Sequence, residues 1–140
     1  MKTYETEFCV EFCHCDSAGI VYYPHFYTWF DQSTERMFKS MGFAYAVLRE
    51  QLGLLGVPLL ETGATYRKAC QLGDQLRMQS RVVEFGEKTF RVEHVLRHAD
   101  GSIALEGFEL RIFARLDAMA EKGLKSVSIP EQIRSCFNTE

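Results

Sequence analysis

Between Cys9 and Asp31 the chain reads CVEFCHCDSAGIVYYPHFYTWFD, and the groups able to do chemistry crowd its first half. Cys9, Cys13, Cys15, His14 and Asp16 fall within eight residues. Metal binding is the first chemistry to weigh. A structural zinc takes four ligands in tetrahedral array, usually from two paired clusters. Here there is one cluster, Cys13 and Cys15 are separated by a single residue, and Cys70 and Cys136 have no neighbouring Cys or His. A redox Cys-x-x-Cys pair is also absent. The spacing therefore reads Cys9 and Cys13 as small fillers on a strand face and Cys15 as a pocket-lining residue, with no metal.

Asp16 carries the second chemistry. It follows a strand-like segment, sits beside Ser17, Ala18 and Gly19, and precedes Pro24, a residue suited to the first turn of a helix. One reading makes it a turn or capping residue. The other starts from the helix it precedes, whose N-terminus offers unpaired N–H groups and a positive dipole end. Such donors stabilise an oxyanion. A carboxylate beside them can attack an activated carbonyl, or activate water to do so.

These residues must be held by elements that the pattern predicts. Tyr4–Phe12 alternates, with Tyr4, Thr6, Phe8, Val10 and Phe12 on one face of a strand. From Pro24, Phe26, Phe30, Ser33, Met37 and Met41 recur at helical spacing, with Gly42 as the stop. A second helical piece is expected over Ala44–Leu52. The remainder reads as a strand meander: Gly56–Gln71 extended, then Gln75–Phe85, a turn at Gly86–Thr89, and Phe90–His98. Asp100–Gly101 marks a hairpin turn, followed by Ile103–Leu116 with Phe108, Leu110 and Ile112 facing one side. A polar connection, a short strand over Ser126–Ile129 and a terminal helical turn over Pro130–Phe137 complete the order. His94 falls on the apolar side of its strand and reads as a hydrogen-bonded core histidine. One long apolar helix with four or five strands predicts an α+β fold, a curved antiparallel sheet wrapped around the helix.

The 140 residues fit one domain, 1–140. A net charge of −3 gives no reason to expect nucleic acid or an anionic membrane as partner. No apolar run approaches the roughly 20 residues that span a bilayer. The N-terminal stretch lacks a signal-peptide pattern, and five cysteines without one point to reduced thiols in a cytoplasm.

The stretch DSAGIVYYPHFYTWFD resembles the signature of the 4-hydroxybenzoyl-CoA thioesterase family of hotdog-fold proteins, matching at Asp16, Gly19, Val21, Tyr22, Tyr23, His25 and Phe26. The resemblance runs over almost the whole chain. It implies a five- or six-stranded antiparallel sheet around the long helix, homodimers or homotetramers with sites at subunit interfaces, and hydrolysis of acyl-CoA thioesters without a cofactor. By position, Asp16 matches the catalytic carboxylate, the Tyr23 backbone N–H the donor that polarises the thioester carbonyl, and His25 a residue that orients the carbonyl or a water. Gly19, Val21 and Tyr22 belong to the same substrate-contacting signature. Asp31 matches a helix carboxylate that accepts a bond from a ring hydroxyl in the hydroxybenzoyl branch. Val57 stands where that branch has a hydroxyl residue, which leaves a short-chain aliphatic acyl group as the rival. Lys88 aligns with a basic loop for CoA phosphates. Two other readings are a non-catalytic acyl-CoA or acyl-carrier binding module and a hydratase. Asp16 at the mouth of the helix argues against the first. A differently placed Asp/His pair argues against the second.

If the cysteine cluster is structural, the purified chain will carry no stoichiometric metal, and a chelator will leave its melting temperature unchanged. One zinc per chain by elemental analysis would contradict this.

Overall fold

A computed structural model of the chain describes residues 2–138. Strand β1 (Tyr4–Cys9) leads through a short 3-10 turn (Phe12–His14) to helix α1 (Pro24–Ser40) and helix α2 (Tyr45–Leu52). Strands β2 (Leu59–Tyr66), β3 (Gln75–Phe85), β4 (Thr89–His98) and β5 (Ile103–Ile112) follow. A small hairpin of β6 (Ala114–Leu116) and β7 (Leu124–Ser126) then leads to helix α3 (Glu131–Asn138). The main sheet has five antiparallel strands in the order β1-β3-β4-β5-β2, which leaves β1 and β2 at its edges. This is the α+β architecture expected, with α1 lying across the sheet. Among the described residues no helix is long and apolar enough to cross a membrane.

Helix α1 starts at Pro24, whose missing N–H costs nothing in the first turn. It buries Phe26, Trp29, Phe30, Ser33, Thr34, Met37 and Phe38. Its end at Ser40 is followed by Gly42 at φ +86°, the left-handed position that closes a helix, with the Phe43 N–H returning to the Phe38 carbonyl at 2.9 Å. Met41 has left the buried face and serves as the C-cap.

Three strand expectations need correction. β1 ends at Cys9, and Phe12 is 83% exposed on the 3-10 turn, so alternation across Val10 did not continue. Within the extended Gly56–Gln71 stretch only Leu59–Tyr66 pairs as a strand. The short strand expected over Ser126–Ile129 is instead Leu124–Ser126, paired with β6 across the 117–123 connection. On β5, Phe108, Leu110 and Ile112 share one side as the alternation predicts, and that side is the outer one. Register pairs Leu96 with Leu105, His94 with Gly107, Val92 with Glu109 and Phe90 with Arg111, so those β5 residues face α1, while Phe108, Leu110 and Ile112 lie half-buried on the outer side. Gly107 is required there, because a Cβ at that position would overlap the Phe30 ring.

The inward face of β5 explains how the core is built. One apolar lobe packs Phe26, Trp29 and Phe30 against Phe8, Leu76, Met78, Leu96 and Leu105. A second packs Met37 and Phe38 against Val82, Phe90, Val92, Phe113 and Phe137. Between them runs a buried polar belt of Ser33, Thr34, Ser80, His94, Glu109 and Arg111. His94 donates or accepts at both ring nitrogens, Nδ1 with Ser80 Oγ (2.7 Å) and Nε2 with Glu109 Oε1 (2.9 Å), and its ring stacks on Phe30 at 4.6 Å. The Thr34 hydroxyl donates to Glu109, and Arg111 pairs with the other Glu109 oxygen. Burial pushes the Glu109 carboxyl up, but the bonds and charges of His94 and Arg111 outweigh it and hold it at about 2.

The Glu109 pKa is depressed from 4.5 to about 2, so its stabilisation is complete above pH 4.5 and is lost as pH falls from there towards 2. Glu109→Ala strands Arg111 in the core and is expected to cost about 3–5 kcal/mol in urea unfolding. Glu109→Gln should flatten the fall in melting temperature over that acid window. An unchanged acid limb would show that the belt does not hold the fold.

Candidate active site

The segment from Cys15 to Val21 is a miniature hairpin. Cys15 bridges Val21, and the Asp16 N–H donates to the Ile20 carbonyl at 2.9 Å. Its turn needs Gly19 at φ +78°, a conformation disfavoured for residues with a Cβ. Asp16 is exposed at this turn, and its Oδ1 accepts the Ala18 N–H at 2.8 Å. One carboxylate oxygen therefore performs the local turn job, and Oδ2 makes no hydrogen bond among the described residues. The hairpin is tied down on its other side by the Ile20–Gln71 bridge and by the Val21 N–H to the Cys70 carbonyl at 2.8 Å.

Two residues after that hairpin α1 begins. No side chain caps it. The Tyr22 N–H is spent on the His14 carbonyl, the His25 N–H on Tyr22 and the Phe26 N–H on Tyr23, and Pro24 has none. Among the described residues the Tyr23 N–H is left without an acceptor at the positive end of a 17-residue helix. An anionic oxygen would be stabilised there. Tyr22 and Tyr23 are 50% and 58% exposed. His25 is half-buried, with its ring edge-on to His14 at 5.3 Å and to Tyr22 at 6.2 Å.

Beside the helix start opens an apolar cleft of about 480 Å³, lined by Ile20, Val21, Tyr23, Phe26, Tyr66 and the 67–70 segment. The structure thus brings Val21 and Tyr23 to a common cavity. Asp16, His25, Asp31, Val57 and Lys88 lie outside its lining. Arg67 and Lys68 reach its rim, and each already holds an exposed carboxylate, Glu106 at 3.1 Å and Asp100 at 3.4 Å. Cys70, not Cys15, is the cysteine in the lining, and burial followed by the nearby Asp74 pushes its thiol up to about 12, so it is an inert wall. Cys15 packs instead against the first core lobe. Cys9 and Cys13 are exposed and not fillers. Glu11, Cys13 and His14 bring three potential ligand atoms within 4.8 Å, but His14 Nδ1 already accepts the Glu11 N–H at 2.9 Å.

Further along α1, Asp31 pairs with Arg111 at 2.8 Å. The Val57 side chain is buried in the second core lobe, and its carbonyl accepts Arg111 Nη1 at 2.9 Å. Lys88 lies in the β3–β4 turn, with its carbonyl bonded to the Phe113 N–H. The Asp16 hairpin is anchored near the opposite end of the eleven-residue β3, on the order of 30 Å away at strand rise. Within one chain Lys88 does not join this site. The pattern of the sequence missed Arg111, Glu109 and Tyr66. Only the i, i+2 pair of Glu109 and Arg111 on a strand otherwise apolar inward could have signalled the belt.

Comparison with known proteins gives the following. The family model described as the thioesterase-like superfamily matches residues 10–137. The 4-hydroxybenzoyl-CoA thioesterase of Pseudomonas sp. (strain CBS-3) is 25% identical over 126 residues, covering 86% of this chain and 87% of that protein. The solved structure of that enzyme superposes with a TM-score of 0.89 at 23% identity, covering 97% of this chain and 99% of the other. A 1,4-dihydroxy-2-naphthoyl-CoA hydrolase of Synechococcus elongatus is 22% identical over 104 residues, covering 74% and 76% of the two chains.

Proposed function

The chain belongs to the thioesterase-like superfamily, and from that premise we propose that it hydrolyses acyl-CoA thioesters, with an aromatic, hydroxyl-bearing acyl group as substrate class. The observation that carries the reading is the pairing of an unspent Tyr23 N–H at the start of α1 with the exposed Asp16 carboxylate on the hairpin that delivers the chain to that helix. Similarity to enzymes named for 4-hydroxybenzoyl-CoA and 1,4-dihydroxy-2-naphthoyl-CoA supports the aromatic class.

In this reading the thioester carbonyl oxygen takes the Tyr23 N–H, so negative charge develops against the helix dipole. Removing one such donor elsewhere costs roughly 3–4 kcal/mol of barrier. Asp16 then acts in one of two ways. As nucleophile its Oδ2 attacks the carbonyl carbon, the C–S bond breaks, CoA leaves as thiolate, and water hydrolyses the resulting anhydride. As general base it takes a proton from the water that attacks directly. Either route uses this chain's own groups and needs no cofactor. Val21, Tyr23, Phe26 and Tyr66 supply an apolar wall beside the reacting carbon, and Gly19 and Tyr22 shape its approach. His25, at the same helix start, orients the carbonyl or the water. Arg67 and Lys68 are the cations nearest for phosphate contact, whereas Lys88 would contribute only from a second copy.

A second copy is part of the proposal. β2 is an edge strand of eight residues, and Leu59, Leu60 and Tyr66 on it are exposed, as are Tyr22 and Tyr23 at the helix start. An unprotected edge of this kind pairs. The minimal unit is a homodimer, able to assemble further into a homotetramer. Light scattering at micromolar concentration should give twice or four times the chain mass, and a monomer would contradict an interfacial site. The binding-module alternative predicts acyl-CoA affinity without thiol release.

Asp16→Asn keeps the side-chain shape but neither attacks nor accepts a proton. It is expected to lower kcat by at least about 10²-fold with little change in KM. If Asp16→Asn and Asp16→Ala both release thiol at near-native rates, the assignment of Asp16 is wrong.

A further inference from the structure

Tyr66 is fastened more firmly than a wall of the cleft requires. It is the last residue of β2, on an edge of the sheet, and is 49% exposed. Its ring nevertheless reaches across to α1, where it lies 5.7 Å from the Phe26 ring, and its hydroxyl donates to Tyr27. Burial and then this bond push the Tyr66 hydroxyl up to about 12, the direction expected when the neutral group is the donor. Tyr27 is itself held, packed on the first core lobe with its ring edge-on to Phe30 at 5.6 Å. A half-exposed tyrosine at a strand end keeps its rotamer freedom unless something removes it. Two contacts on one helix do so here, and make the ring a bar between strand and helix.

The bar has a definite place in the cleft. Phe26 and Tyr27 lie about one turn beyond Tyr23, roughly 5 Å along the axis of α1. The floor is closed, because Val21, Phe26 and Cys70 belong to the first core lobe and are 5% exposed or less. The wall formed by the 67–70 segment is pinned through its backbone. The Arg67 and Lys68 N–H groups both donate to the Ala104 carbonyl, at 2.8 and 3.0 Å, and the Cys70 carbonyl takes the Val21 N–H. Neither floor nor wall yields without breaking core packing or paired backbone. An acyl group that enters from the helix start therefore meets the Tyr66 ring inside a cleft of about 480 Å³.

We propose that Tyr66, braced by Phe26 and Tyr27, sets the acyl length: it ends the cleft, so the site takes a ring or a short chain and gains nothing from the further methylenes of a fatty acyl chain. This rests on the reading that the thioester carbonyl binds at the Tyr23 N–H. A longer chain must either swing the ring off Tyr27 and Phe26 or leave its end in water, where added methylenes contribute no binding.

The test follows free thiol release from 4-hydroxybenzoyl-CoA and from butanoyl-, hexanoyl-, octanoyl- and decanoyl-CoA, with kcat/KM plotted against chain length. Wild-type values should stay level from hexanoyl to decanoyl. Tyr66→Ala opens the end of the cleft, and its values should climb by about 4-fold for each methylene that becomes buried. A substitution that only loosened the fold would lower every substrate alike and leave the slope flat. A flat slope in Tyr66→Ala, or a wild-type slope that already climbs through decanoyl-CoA, would overturn the inference. Should Tyr66→Ala fail to fold, Tyr27→Phe decides: it removes the brace and keeps the ring, so a climbing slope would support the inference and a flat one would overturn it. A climbing wild-type slope leaves the hydrolase reading standing. Wild-type protein that releases thiol from none of these thioesters refutes that reading, and the inference with it.

Discussion

A carboxylate placed in the middle of an apolar core must be paired or it will not stay charged. Glu109 is such a carboxylate, and satisfying it organises the molecule. Its partners come from three elements: Thr34 on α1, His94 on β4 and Arg111 on β5. Apolar contacts alone would allow α1 to slide or roll over the sheet at small cost. The belt does not, because a shift by one residue would break the Thr34 and Asp31 bonds and drive Phe30 off the gap over Gly107. The two apolar lobes supply most of the burial, and the belt between them fixes the register.

Register matters because the proposed chemistry rides on α1. The helix start carries the unspent Tyr23 N–H, and the flank two turns later carries Asp31. Holding the middle of the helix therefore fixes where its start, with the N–H proposed to polarise the carbonyl, sits against the sheet. The hairpin bearing Asp16 is fastened separately, to Gln71 and Cys70 ahead of β3, so the carboxylate and the N–H are presented by two independently anchored segments. Open aromatic surface at the helix start and an unpaired β2 edge leave this arrangement unfinished in one chain, which is why a second copy belongs to the proposal.

Much of the frame was legible. Pro24, the helical spacing behind it and Gly42 set α1 to within a residue or two, and alternation gave β3 its full span. The Asp16 motif was legible as a motif, because turn residues, an aspartate and a helix start are adjacent in sequence. The belt was not. Alternation groups Phe108, Leu110 and Ile112 on one side of β5, but only tertiary pairing shows that the opposite side, with Glu109 and Arg111, faces the helix. Phe12 continued an alternation that the 3-10 turn breaks. The cleft escaped too, since its walls come from residues 20–26 and 66–70, joined only when the sheet forms. Lys88 aligned with a basic loop, but strand length puts it at the wrong end of β3 for its own chain.

The central claim is that this scaffold performs thioester hydrolysis at the start of α1 and is not merely a binder. Its most direct test is free thiol release from a panel of acyl-CoAs, from acetyl through longer aliphatic to hydroxylated aromatic groups, with the unmodified protein. The account predicts saturable turnover, fastest with hydroxylated aromatic thioesters and at least about 1 s⁻¹, the lower end for ordinary enzymes. Saturable binding of these thioesters with no thiol released from any of them would contradict it.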